Sequence, residues 1–165
     1  MQSHRIRAAS RAVILAGVAA AALFAASSAN AQSAPANARE QAAFDVRFLQ
    51  TEFMVAALSC GRPEYQSFYN TFVSRFGAPL KRHADELKAH FTREYGKQSA
   101  NKLDSFATKL ANEASLRSMR QVTFCQDTGL VMERVTALDP ASLASFSTSF
   151  ARSIETVAIV EPVKR

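Results

Sequence analysis

The sequence predicts an all-α protein: an antiparallel bundle of five or six helices with one disulfide, preceded by a cleaved signal peptide. Three observations carry this. From Phe44 onward, apolar residues recur at spacings of three and four rather than two. Glycine and proline fall between these runs as stops and starts, and strand-like alternation is nearly absent. The chain also opens on an export-type segment, with both of its cysteines beyond it.

That segment is residues 1–31. His4, Arg5, Arg7 and Arg11 form a basic start, with no acidic residue before Glu40. Ala12 to Ala26 is apolar, and Ala29-Asn30-Ala31 supplies a small-x-small cleavage site. A run of about 15 residues is short of the roughly 20 that a membrane span requires. Polar Ser27, Ser28 and Asn30 end it in place of a basic stop-transfer cluster. The absence of an Arg-Arg pair favours general export, and the style is bacterial. The expected address is periplasmic or secreted, after cleavage near Ala31/Gln32.

A short leader, 32–38, contains Pro35. The first helix is predicted from about Ala38 to Ser59. Phe44, Phe48, Val55 and Leu58 share one face, while Leu49, Phe53 and Ala56 lie nearly opposite. A helix apolar on two sides is covered on two sides, which places it at the centre. Cys60-Gly61 stops it, and Pro63 sits just inside the next start.

The second helix, about Pro63 to Arg75, carries an aromatic stripe of Tyr65, Phe68, Tyr69 and Phe72, continued by Val73 and Phe76. Pro79 opens a third helix that reaches Tyr95, with Leu80, Ala84, Leu87 and Phe91 facing the core. A fourth, Ser99 to Ala114, uses Leu103, Phe106 and Leu110. Two serines at Ser115–Ser118 mark the expected break. A fifth follows to about Leu138, with Met119, Val122, Cys125, Met132 and Val135 inward and Gly129 as a kink or break. Asp139-Pro140 starts the sixth, which buries Leu143, Phe146 and Phe150 and exposes several serines. Thr156 to Val160 is β-like in composition and reads as part of a tail. The chain thus divides into signal peptide 1–31, leader 32–38, one helical domain 39–155 and tail 156–165, without repeats.

Cys60 and Cys125 are an even pair in an oxidising compartment, which argues for a disulfide between them. The loop it closes is about 65 residues, for which chain entropy gives roughly 4 kcal/mol. A redox pair is disfavoured, because catalytic thiols usually stand as Cys-x-x-Cys.

Charge excludes one partner class. The chain carries a formal +6, but Arg5, Arg7 and Arg11 leave with the signal peptide, so about +3 remains. That suits weak attraction to anionic lipid or polysaccharide and no nucleic-acid partner.

One constellation has metal-capable chemistry. His83, Glu86, His90 and Glu94 on the third helix fall within about 80° of one another, a single stripe of imidazole and carboxylate able to hold zinc or copper. The stripe borders the apolar face, where polar residues are common, and its spacing matches no named ligand signature. Solvation is therefore the default expectation, and no cofactor is expected. Tyr65, Phe68, Phe72 and Phe76 present a second choice, an apolar pocket or plain core, with core favoured. Arg117 and Arg120, three apart, suit an anionic group or a solvated face. Nucleophile elbows, phosphate loops and Cys–His pairs are missing from the sequence. The expectation is a small exported, non-catalytic binding or accessory module that meets a partner protein or envelope component. The alternative is a metal- or cofactor-binding bundle using the third-helix stripe.

Overall fold

The computed structural model describes residues 37–160, with side chains to Ile154. The signal-peptide expectation, residues 1–31, lies outside the described residues. Among these, the chain forms six α-helices and two single 3₁₀ turns, with no strand. No described helix is long and apolar enough to cross a membrane.

Helix α1 (Ala38–Ser59) starts at Asn37, whose side-chain oxygen accepts from the backbone N–H of Arg39 and Glu40 at 3.0 Å each. That satisfies two donors the first turn leaves without intrahelical partners. One face of α1 is buried through Leu49, Phe53 and Ala56, flanked by Ala43 and Val46; on the other, Val55 is buried and Phe44 and Phe48 are half-buried. Every other α-helix packs against it. Leu58 departs from the expected pattern and is 76% exposed.

Helix α2 (Pro63–Arg75) and α3 (Gly77–Tyr95) run head to tail, separated only by Phe76. Pro79 explains the break, because its missing N–H leaves the Arg75 carbonyl without an i+4 donor. Both run against α1: Phe72 meets Phe53 at 5.1 Å between ring centroids, and His90 reaches back to Glu40. Helix α4 (Ser99–Arg120) returns alongside α1 in the same sense, with Phe106 edge-on to Phe44 at 5.2 Å and Arg117 paired to Glu52.

Here the predicted boundary moves. Helix α4 runs straight through Ser115 and Ser118, held against α1 by buried Ala114 and by Arg117 on Glu52, while the Ser118 hydroxyl donates to the Ser115 carbonyl at 2.8 Å. The break falls at Gln121–Thr123, where Gln121 turns to an extended backbone. Met119 and Val122, expected inside a fifth helix, are instead 74% and 101% exposed.

Helix α5 (Phe124–Thr136) runs beside α2 in the same sense. Cys60 and Cys125 form the disulfide at one end, with Cα atoms 5.7 Å apart, and Arg75 donates to the Leu138 carbonyl at 2.9 Å at the other. Gly129 continues the helix without a break. Asp139 then caps the turn Pro140–Ser142 through Ala141 N–H at 2.7 Å. Helix α6 (Leu143–Val160) lies along α1, with Phe150 5.7 Å from Phe48 and Thr148 donating to buried Asp45 at 2.6 Å. Its backbone stays helical through Thr156–Val160, past the predicted domain end at 155.

Thus α1, α4 and α6 run one way and α2, α3 and α5 the other. The main core gathers Leu49, Phe53, Phe72, Phe76, Met132, Val135 and Leu143, while Ala43, Leu87 and Phe91 form a smaller cluster with Phe44 and Phe106. Each fully buried ring contributes on the order of 2 kcal/mol by leaving water.

Candidate functional site

The third-helix stripe is taken up by basic and acidic neighbours from α1 and from α3 itself. His90 Nδ1 lies 3.1 Å from Glu40 Oε2, and Arg93 donates to Glu40 Oε1 at 2.5 Å. Glu86 faces Arg39 at 3.6 Å, and Glu94 meets Arg93 Nε at 3.4 Å. His83 is half-buried with Nδ1 unpartnered; burial, then the Arg82 charge, lowers its pKa. Among the described residues, no three His, Cys, Asp or Glu side chains converge to hold a metal ion. Glu40 organises this end of the bundle. Burial opposes its charge, but hydrogen bonds and charges from His90 and Arg93 prevail and hold its carboxyl below the ordinary value.

The aromatic stripe packs inward. Tyr65, Phe72 and Phe76 are buried in the main core, and Phe68 is half-buried against it. Tyr65 also donates its hydroxyl to the Cys125 carbonyl at 2.6 Å.

A concave surface lined by both apolar and polar side chains lies along the seam where α5 and α6 run antiparallel. Two hollows, about 210 and 440 Å³, share Val131, Phe150 and Ser153 in their walls and so lie side by side along one furrow. The larger is within the range of small-molecule sites. Phe146 and Leu138 continue the apolar floor toward the α5–α6 turn. Ser142, Ser145, Ser149 and Ser153 line one side at helical spacing. The last three return their hydroxyls to carbonyls of the same segment, at 3.0, 3.0 and 2.7 Å. They therefore present a low wall with few free donors.

The inner end of the furrow is charged. Glu52 on α1 is 2% exposed and accepts from Arg117 on α4, whose guanidinium also lies over the Phe48 ring at 5.2 Å. Arg117 Nε is buried without a partner. Burial pushes the Glu52 carboxyl above its ordinary value; Arg117 opposes this and Glu113 adds to it. Thr128 and Gln121 supply polar atoms nearby, and Asp127 adds an exposed carboxylate from the first turn of α5.

Of the two arginines singled out from sequence, Arg117 is committed to Glu52 and Arg120 is exposed. Glu52 was not legible as a site residue. A glutamate between the apolar faces of a helix covered on two sides is its only signal. Comparison of the chain with protein-family models, curated proteins and solved structures yields no match.

Proposed function

We propose that this chain is a small exported, periplasmic or secreted, non-catalytic binding module of the bacterial cell envelope. The observation that carries the reading is the α5/α6 furrow: an apolar floor, a serine wall and a buried ion pair at one end. A charged pair taken out of water costs several kcal/mol per ion before its partner offsets it. Hydrophobic replacements often serve stability as well or better, so placing such a pair beside an open furrow favours a recognition role.

The address rests on the sequence of residues 1–31 and agrees with the Cys60–Cys125 disulfide, a bond that persists in oxidising compartments. The disulfide ties α5, one wall of the furrow, to the end of the central helix. That limits the wall's motion without occupying the furrow. The non-catalytic assignment follows from the missing nucleophile and phosphate-loop signatures.

Nuclear magnetic resonance tests the reading. Isotope-labelled protein titrated with periplasmic and envelope extracts should shift amides of Thr128, Val131, Ser149 and Phe150 while those of α3 stay fixed. Shifts confined to α3, or no shifts at all, would remove it. Mass analysis of protein from fractionated cells should find a chain beginning at Gln32.

A further inference from the structure

The furrow is polar at one end and apolar along its length, which is the pattern of a single-chain amphiphile. Its apolar stretch runs over Val131, Phe150, Phe146 and Leu138. The corresponding span of α6, Leu143 to Ser153, is about 15 Å at 1.5 Å per residue. A medium-length alkyl chain lies within that distance, and the wall hydroxyls, already bonded to their own helix, do not demand polar partners from it.

The head end discriminates by charge. Two carboxylates, Glu52 and Asp127, stand there against one guanidinium, Arg117, which Glu52 already engages. Glu113 adds further negative potential at Glu52. An incoming carboxylate would meet Asp127 and find Arg117 committed. An ammonium would meet Asp127 unopposed and relieve the negative excess. At the opposite end Arg134 sits over Phe146 at 5.9 Å, placing positive charge where the tail terminates.

We propose that the α5/α6 furrow binds a single-chain amphiphile with a cationic amine head, its head beside Asp127 and Thr128 and its tail along Phe150 and Phe146. The proposal rests on the furrow being the binding site and assigns its ligand class. Small apolar contacts supply affinity; the carboxylate excess supplies the sign of the head.

Calorimetric titration of the disulfide-bonded protein with dodecylammonium and with dodecanoate, both below their micelle concentrations, tests it. Dodecylammonium should bind saturably at one per chain and at least tenfold more tightly than dodecanoate. Asp127→Asn, a change at an exposed position, should weaken dodecylammonium about tenfold and leave the helical circular-dichroism signal intact. Ser149→Trp should fill the furrow and abolish binding. Dodecanoate binding as tightly, especially if Arg134→Gln weakens it, would overturn the head assignment by showing the reverse orientation. Failure of both amphiphiles would overturn the ligand class. Envelope-extract shifts at Val131 and Ser149 would then still support the binding site itself, so the two failures are separable.

Discussion

Gly129 lies against the ring of Tyr65 so closely that a Cβ at residue 129 would stand 3.0 Å from the tyrosine oxygen and 3.1 Å from Cε1. That oxygen is held by its 2.6 Å bond to the Cys125 carbonyl, one helical turn before Gly129. Glycine at this point therefore serves contact between α2 and α5, next to the disulfide.

Gly129→Ala should for this reason destabilise the protein. In a helix interior the change normally gains about 1 kcal/mol, but overpacking typically costs 1–3 kcal/mol, and the ring is pinned by its hydrogen bond. A net loss of about 1 kcal/mol is expected by urea unfolding. Tyr65→Phe should cost about 1 kcal/mol alone. It should soften the Gly129→Ala penalty, because the ring is then free to shift, giving a coupling above about 0.5 kcal/mol. Additive losses would contradict the contact.

Cys60→Ala and Cys125→Ala should each lower stability by about 2–4 kcal/mol, and the double variant should lose little more than either single one. The oxidised protein should show no free thiol under denaturing conditions, since both of its cysteines are in the bond. Two reactive thiols in denatured, unreduced protein would refute the pairing.

The Glu52–Arg117 pair should respond asymmetrically to removal of either member. Arg117→Met leaves a carboxylate buried without its guanidinium, a loss of roughly 3 kcal/mol near neutral pH. Glu52→Gln removes the deeper charge, keeps an acceptor for Arg117 and should cost about 1 kcal/mol or less. The folded-state pKa of Glu52 is raised, so folding is favoured as pH falls through it and loses this contribution as pH rises. The Arg117→Met deficit should accordingly shrink between pH 7 and pH 5. Thermal melts across that range provide the check; a constant deficit would count against it.

Glu40 should show the opposite sign. Its folded-state pKa lies below the ordinary 4.5, so its contribution is present above 4.5 and disappears as pH falls through the depressed value. Glu40→Gln should flatten the acid limb of the melting curve below pH 4.5. Arg93→Ala should bring acid loss nearer to pH 4.5, because one of the groups that hold the proton off is gone. An unchanged acid limb in both variants would show that Glu40 does not control it.

Where local chemistry dominates, the chain is readable in one dimension. The limits of α1 and α2 follow from Cys60-Gly61 and Pro63, with Gly61 at φ +65°, a backbone conformation that residues with a Cβ adopt at a cost. Periodicity alone places Leu49 and Phe53 opposite Phe44 and α1 at the centre, and every other α-helix does pack against it. The end of α4 departs from the sequence expectation because serine counts locally as a weak helix former, whereas in the folded chain Ala114 and Arg117 anchor this stretch against α1. Gly129 was ambiguous for a related reason: a helical glycine has the same local signature whether it kinks or makes room for a ring.

The candidate site divides along the same line. Arg117 stands out as a charge, and the serines of α6 show their helical spacing, yet neither announces a furrow. Glu52 and Arg117 are 65 positions apart, and they meet only because α4 returns parallel to α1. The third-helix stripe has the converse history. His83, Glu86, His90 and Glu94 share a face, but Arg39, Glu40 and Arg93 engage three of them. By itself, then, the sequence determined an all-helical chain, its central helix and the two cysteines available to tie it. Tertiary structure alone decided which charges are buried together and where the surface is concave. Helical periodicity is set by neighbours three and four residues away, whereas burial, pairing and cavities depend on which distant helices come into contact.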